Sequence, residues 1–201
     1  MRVSKQVVQK LRLFSKILAS NLLLIGSVYA DSIGDIREHI GSAALERQSG
    51  QTEIVKDGSV PDVQMNDTAI TGQGRMLIEF LDKEELSLTE HTEIYIDEVY
   101  YDPDPSKSKM AMRMVLGTAR FTSGTGAKID KANIDIRTPT AQIGIRGTDF
   151  TTTIDEIGRT TLVLLPDEKT GKSSGEITIT NAGGTITLSR CLLYTSDAAD
   201  E

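Results

Sequence analysis

From about Ile70 the chain is cut by turns into runs of three to seven β-type residues, and this punctuation most restricts what it can fold into. Residues 75–80 form an apolar run of strand length. Residues 86–88 alternate, and 93–96 follow after one polar step. Asp102-Pro103-Asp104-Pro105-Ser106-Lys107 reads as a loop, because each proline removes a ladder donor. Residues 110–116 alternate until Gly117 breaks them, and 118–122 end at Ser123-Gly124-Thr125-Gly126. Residues 133–137 have period two, 141–145 and 148–154 flank Arg146-Gly147, and 160–165 stop at Pro166. Residues 176–180 and 185–189 pair as a hairpin across Asn181-Ala-Gly-Gly184. The pattern predicts an all-β domain of about ten short strands, too short for a parallel α/β sheet. Two architectures fit: a β-sandwich, or stacked short antiparallel hairpins resembling a solenoid. No strict repeat is present, which argues against a regular hexapeptide helix. A length of 201 residues suits one domain. Upstream the pattern is open. Ile33, Ile36, Ile40 and Leu45 approximate one helix face capped by Asp31 or Ser32. Residues 42–55 fit two strands around Gly50, and 58–67 read as a connecting loop.

Both ends read differently from this body. Arg2, Lys5, Lys10, Arg12 and Lys16 form a basic, acid-free start, followed by a short apolar stretch to Val28. Val28-Tyr29-Ala30 places small residues where a signal peptidase inspects them. Residues 1–30 are therefore expected to be a signal peptide cut after Ala30, too short in its apolar part to span a bilayer. The mature chain, with no second span, is expected in the periplasm or secreted. At the other end, Cys191-Leu-Leu-Tyr-Thr-Ser-Asp-Ala-Ala-Asp-Glu201 has no periodicity. It reads as the in-frame translation of a sequencing adapter, not a structural segment, and the native chain is expected to continue after Arg190. The folded domain is then 31–190.

Charge and composition exclude several functions. The first 30 residues hold five of the 22 basic residues, and the last eleven hold three of the 29 acidic ones. The body keeps 17 basic and 26 acidic residues, a net charge of −9. Such a domain is a poor partner for nucleic acid or anionic lipid. One Cys and two His exclude a disulfide scaffold and most Cys/His zinc sites. Met110, Met112 and Met114 share one face of a strand, which fits a core face better than a thioether copper site. Asp97, Glu98, Asp102 and Asp104 lack calcium-loop spacing and read as a solvated acidic loop. His39 and His91 are isolated. Gly171-Lys172-Ser173 resembles the end of a phosphate loop, but the first glycine of that motif would fall on Pro166. No nucleophile elbow exists, and Glu84-Glu85 sits in a polar stretch where nothing suggests a raised pKa. The expectation is no enzyme, no cofactor, no metal site and no catalytic residue.

Arg137-Thr-Pro-Thr-Ala-Gln-Ile-Gly-Ile-Arg-Gly-Thr-Asp-Phe150 is the most distinctive segment. Pro139 removes one ladder donor, so the strand must begin after it or sit at an edge. Thr148 and Phe150 face one side and Asp149 the other, with Asp149 a candidate partner for Arg146. The segment resembles the "TP-x-A … RGT-x-F" signature of the FecR domain. Residues 67–72, 75–88, 115–121 and 177–188 resemble further blocks of that family in the same order, over roughly 40–190. The resemblance implies an extracytoplasmic all-β module, which in the family's founding members receives a signal from an outer-membrane receptor and passes it to a cytoplasmic sigma-factor regulator. It also makes Arg137, Pro139, Arg146, Gly147, Thr148, Asp149 and Phe150 signature residues, expected to maintain the turn. The chain lacks the family's cytoplasmic anti-sigma segment and internal membrane helix. The function it implies is therefore a non-enzymatic module for protein interaction or envelope signalling. Its partner is expected to be another envelope protein, and strand edges near the signature could accept it by β-augmentation. A structural or carbohydrate-binding envelope module is the alternative.

Overall fold

Alternating burial in long segments makes this an antiparallel β protein, and glycines decide where the long strands turn. The computed structural model describes residues 31–102, 107–122, 133–146, 148–166, 175–189 and 193–196. In chain order the strands are β1 Ser32–Glu46, β2 Thr52–Ile54, β3 Asp62–Gln64, β4 Thr68–Phe80 and β5 Glu85–Leu88. Then come β6 Glu93–Tyr100, β7 Lys109–Thr122, β8 Asn133–Arg137, β9 Gln142–Arg146 and β10 Phe150–Ile154. The last are β11 Thr160–Leu164, β12 Glu176–Asn181, β13 Gly184–Leu188 and β14 Leu193–Ser196.

All fourteen belong to one sheet. Strands β5 and β6 run in the same direction and share the slot between β4 and β7. On its other side β7 divides the sheet. Its first half, Lys109 to Arg113, pairs in parallel with β8, which leads to β9, β12 and β13. Its second half, Gly117 to Phe121, pairs with β10, which leads to β11 and β14. The result is two lobes of sheet that share the long strands β1, β4 and β7.

Between the lobes each long strand bends at a glycine. Gly41 has φ +76° and faces Gly74 across the β1–β4 pair, where the register shifts. A Cβ on Gly41 would lie 2.0 Å from the Gln73 carbonyl oxygen, and one on Gly74 would lie 2.0 Å from that of Ile40. Gly117 in β7 has φ +95°, and a Cβ there would meet Thr92 Cα at 2.5 Å. In the slot between β5 and β6, buried Thr71 and Thr92 close the gap. The Thr71 hydroxyl accepts from the Thr92 N–H at 3.0 Å and donates to the Thr89 carbonyl. The Thr92 hydroxyl accepts from the Thr118 N–H at 3.0 Å and donates to the Thr118 carbonyl at 3.2 Å.

The bends also change which residues face inward. Strand β4 buries Ala69 and Thr71 before its glycines, and Met76, Ile78 and Phe80 after them. Strand β7 buries Met110, Met112 and Met114 before Gly117, and Ala119 and Phe121 after it. Each irregularity shifts the two-residue period by one, so both lobes turn their apolar faces into one core.

The all-β class is as expected, but the strands are more numerous and three of them far longer. Gly117 bends β7 instead of ending it. Residues 58–67 contain β3. The spacing that imitates a helix face belongs to β1: register shifts between Ser32 and Gly34, Ile36 and Glu38, and Gly41 and Ala43 break its period of two. The region beyond Gly50 does return as β2. Leu193–Ser196, expected to be non-structural, pairs with β11. An open strand edge recognises main-chain groups, so a segment without side-chain periodicity can still fill it. Residues 1–30 and the remainder of 191–201 lie outside the described residues. Among those described, no helix is long and apolar enough to cross a membrane.

Gly41→Ala tests the bend. Gly50 has a similar φ, +79°, but no atom within 4 Å of an added Cβ. Gly50→Ala should therefore cost about 1–2 kcal/mol, the left-handed penalty alone. Gly41→Ala should cost at least ~2 kcal/mol more, read from urea unfolding midpoints.

Candidate functional site

The signature segment spans the two lobes. Its first part turns from β8 into β9 in one lobe. Its second part leads through Thr148 and Asp149 into β10 of the other. At the first turn the Thr138 N–H donates to the Ala141 carbonyl at 2.9 Å, and the Thr138 hydroxyl accepts from the Ala141 N–H at 3.0 Å. Thr160, fully buried at the start of β11, donates to the Thr138 hydroxyl at 2.8 Å and lies 2.9 Å from that of Thr140. Thr140 also donates to the Gly158 carbonyl at 3.2 Å. Exposed Pro139 lies over Gly158, whose added Cβ would be 3.6 Å from the proline ring. Hydroxyls thus join the turn of one lobe to the β10–β11 turn of the other.

At the crossing, Thr148 is buried and Asp149 is half-buried. The Leu165 N–H donates to the Asp149 carbonyl at 2.9 Å. Phe150 is fully buried and stacks on Phe121, with ring centroids 4.9 Å apart and planes 12° apart. Arg137 and Arg146 are exposed at strand ends. Arg146 stands opposite Glu176 and Asn133, and among the described residues no ion pair joins it to Asp149. Gly147 lies outside the described residues.

The turn between β4 and β5 corrects a second expectation. Glu84 is only 4% exposed, and among the described residues its Oε2 has no hydrogen-bond partner. Burial, helped by the nearby Asp82 charge, pushes its pKa up to about 8. The sequence hid this because Glu84 lies among polar residues, and only the turn geometry buries it. Lys83, at φ +69°, donates its N–H to the Phe80 carbonyl at 3.0 Å. The Phe80 N–H in turn donates to the Glu84 carbonyl at 2.9 Å. The Asp82 carboxylate accepts the Glu84 N–H at 3.1 Å, while burial raises its own pKa. Tyr101 closes the cluster: its hydroxyl donates to the Ile33 carbonyl at 3.0 Å, and burial followed by the Asp82 charge raises its pKa.

A polar hub at the start of β4 also gave no sequence signal, since its members are scattered. Arg47 pairs with Glu53, Asp62 and buried Asp67, reaching the Asp67 carboxylate at 2.7 Å. Asp67 also accepts the Gln64 N–H at 2.8 Å. The methionine face is core, as expected. His39 pairs with Asp57 at 3.2 Å, and Asp97 holds Arg113 at 2.9 Å. Asp104 and residues 171–173 lie outside the described residues. Among those described, no group of three or more His, Cys, Asp or Glu could hold a metal ion.

One open edge of the sheet among the described residues is β13. Two apolar rows cross one lobe from β7. One runs Met112, Ile136, Ile143, Ile179 and ends at Ile186; the other runs Met110, Ile134, Ile145, Ile177 and ends at Leu188. Every member of the first row is buried until Ile186, which is 42% exposed. Gly184, Thr185, Ile186 and Thr187 are exposed, and β13 carries no charge. Among the described residues no strand pairs with its outer edge. Natural edges usually carry a charge, a proline or a bulge that blocks further pairing.

Residues 67–166 match the family model described as FecR protein. The match runs from Asp67 of the polar hub to Pro166 beyond β11. It is narrower than the 40–190 drawn from the sequence and leaves out β12 and β13. No curated protein matches the chain.

Two predictions follow from these contacts. The folded chain keeps the Glu84 proton to about pH 8, whereas an ordinary glutamate releases it at 4.5. Between those values the folded state binds more protons, so stability falls as pH rises through this window and then levels. Glu84→Gln should flatten that slope and exceed the parent's stability at pH 8, measured by denaturation from pH 5 to 9. Thr160→Val keeps the shape but removes the hydroxyl that joins the lobes, and should cost about 1–3 kcal/mol in the same assay.

Proposed function

The chain is a FecR-domain protein, and on that premise we propose that it is a non-enzymatic docking module of envelope signalling that works outside the cytoplasm. The FecR domain is a signalling and sensor module. The observation that carries the reading is the uncharged β13 edge, where an apolar row of the core reaches solvent at Ile186. Such an edge offers main-chain donors and acceptors to a protein strand, and its alternating side chains set the register.

The signature residues support this reading as frame. Thr148, Phe150 and the Thr138–Ala141 turn spend their contacts on the chain itself. They hold the lobe that bears β13 against the lobe that bears β11. The basic, acid-free start with its short apolar stretch supports export.

Fractionation with site-specific photo-cross-linking tests both parts. The native chain is expected in the periplasmic or secreted fraction, shortened by removal of residues 1–30. A photo-reactive residue at position 186 should give a discrete protein adduct, whereas one at Val115, also exposed but on β7, should not. A cytoplasmic location, or the same adducts at both positions, would overturn the reading.

A further inference from the structure

We propose that the β13 edge pairs with the β13 edge of a second copy of this chain, antiparallel, about a twofold axis beside Ile186. The inference rests on reading that edge as a docking surface. The chain already contains the pairing it would make. In the β12–β13 hairpin, Thr178-Ile179-Thr180 lies against Thr187-Ile186-Thr185, isoleucine to isoleucine and threonine to threonine. Thr185-Ile186-Thr187 reads the same in both directions, so it can meet itself in that same antiparallel register.

Main-chain geometry agrees. The two-residue loop makes Asn181 and Gly184 a hydrogen-bonded pair. By alternation Ile186 then bonds inward to β12, leaving the N–H and C=O groups of Thr185 and Thr187 directed outward. Two copies centred on Ile186 would exchange four hydrogen bonds, Thr185 with the second copy's Thr187 and the reverse. The two Ile186 side chains would meet as a non-hydrogen-bonded pair, the closer kind. They would extend the row from Met112 to Ile186 into the neighbour's equivalent row and cover the apolar end that the fold leaves in solvent.

Charge and chain path both favour a copy of the same strand. Gly183 to Ser189 carries no ionisable side chain, so the net charge of −7 is kept away from the contact. Among the described residues, no strand of the chain covers the edge. Four residues after Ser189, at Leu193, it forms β14 on β11, in the other lobe. A contact of one short strand per copy is small, so the dimer is weak and concentration-dependent.

Cysteine scanning in the full chain with Cys191→Ser tests the register. Ile186→Cys should oxidise to a disulfide-linked dimer, because Cα atoms in a non-hydrogen-bonded pair are about 4.5 Å apart. Thr185→Cys alone should stay monomeric, while a mixture of Thr185→Cys and Thr187→Cys chains should cross-link. In analytical ultracentrifugation the parent should show a dimer fraction that rises with concentration. Ile186→Lys, which sets two ammonium groups face to face, should abolish it with an unchanged urea midpoint. A monomer at every concentration, or equal self-cross-linking at 185 and 186, overturns the proposal. If a photo-reactive residue 186 then captures a different envelope protein, the docking edge stands and only the second copy is excluded. If it captures nothing, both readings fail.

Discussion

The close approach of two backbones at Gly41 and Gly74 is the constraint on which the rest of the architecture depends. With an added Cβ on either glycine only 2.0 Å from a carbonyl oxygen, no other residue fits without moving a strand. The two glycines let β1 and β4 bend together, and Gly117 does the same for β7. Each strand therefore contributes to both lobes, and a single sheet closes over its own apolar face. Without the bends, thirteen to fifteen residues of continuous strand would make a flat sheet with one face in water.

The β class was legible in the sequence because turn residues and two-residue periodicity are local properties. Most strand positions after Ile70 followed from them, including the hairpin around Ala182 and Gly183. What local patterns could not show was that several short runs are pieces of one strand. Gly117 looks like a terminator because glycine weakens a strand on its own. Here Thr92 packs against it and its hydroxyl bonds the Thr118 main chain, so the ladder continues. The apparent helix in β1 arose the same way, from register shifts that imitate a longer period.

The candidate site was legible in a different measure. The signature segment stood out as a motif, but its work in joining two lobes through Thr138, Thr140 and Thr160 depends on a turn twenty residues away. The Arg47 hub and the buried Glu84 were invisible for a related reason. Charge in a sequence says nothing of solvent access: Asp67 is buried where residues from distant positions meet, and Glu84 by the geometry of its own turn. The β13 edge lay between these cases. Its lack of charge can be read directly, but its exposure depends on which strand the sheet places last.

Strand β7 is hydrogen-bonded along one side to β6 and β5 and along the other to β8 and β10. Its first half is held between β6 and β8 and its second half between β5 and β10, so each lobe grips the same continuous strand from both sides. Among the described residues both ends of β7 are paired on both sides: Lys109 lies between Tyr100 and Asn133, and Phe121 between Leu86 and Phe150. The two lobes are therefore joined by three continuous strands, not by a linker.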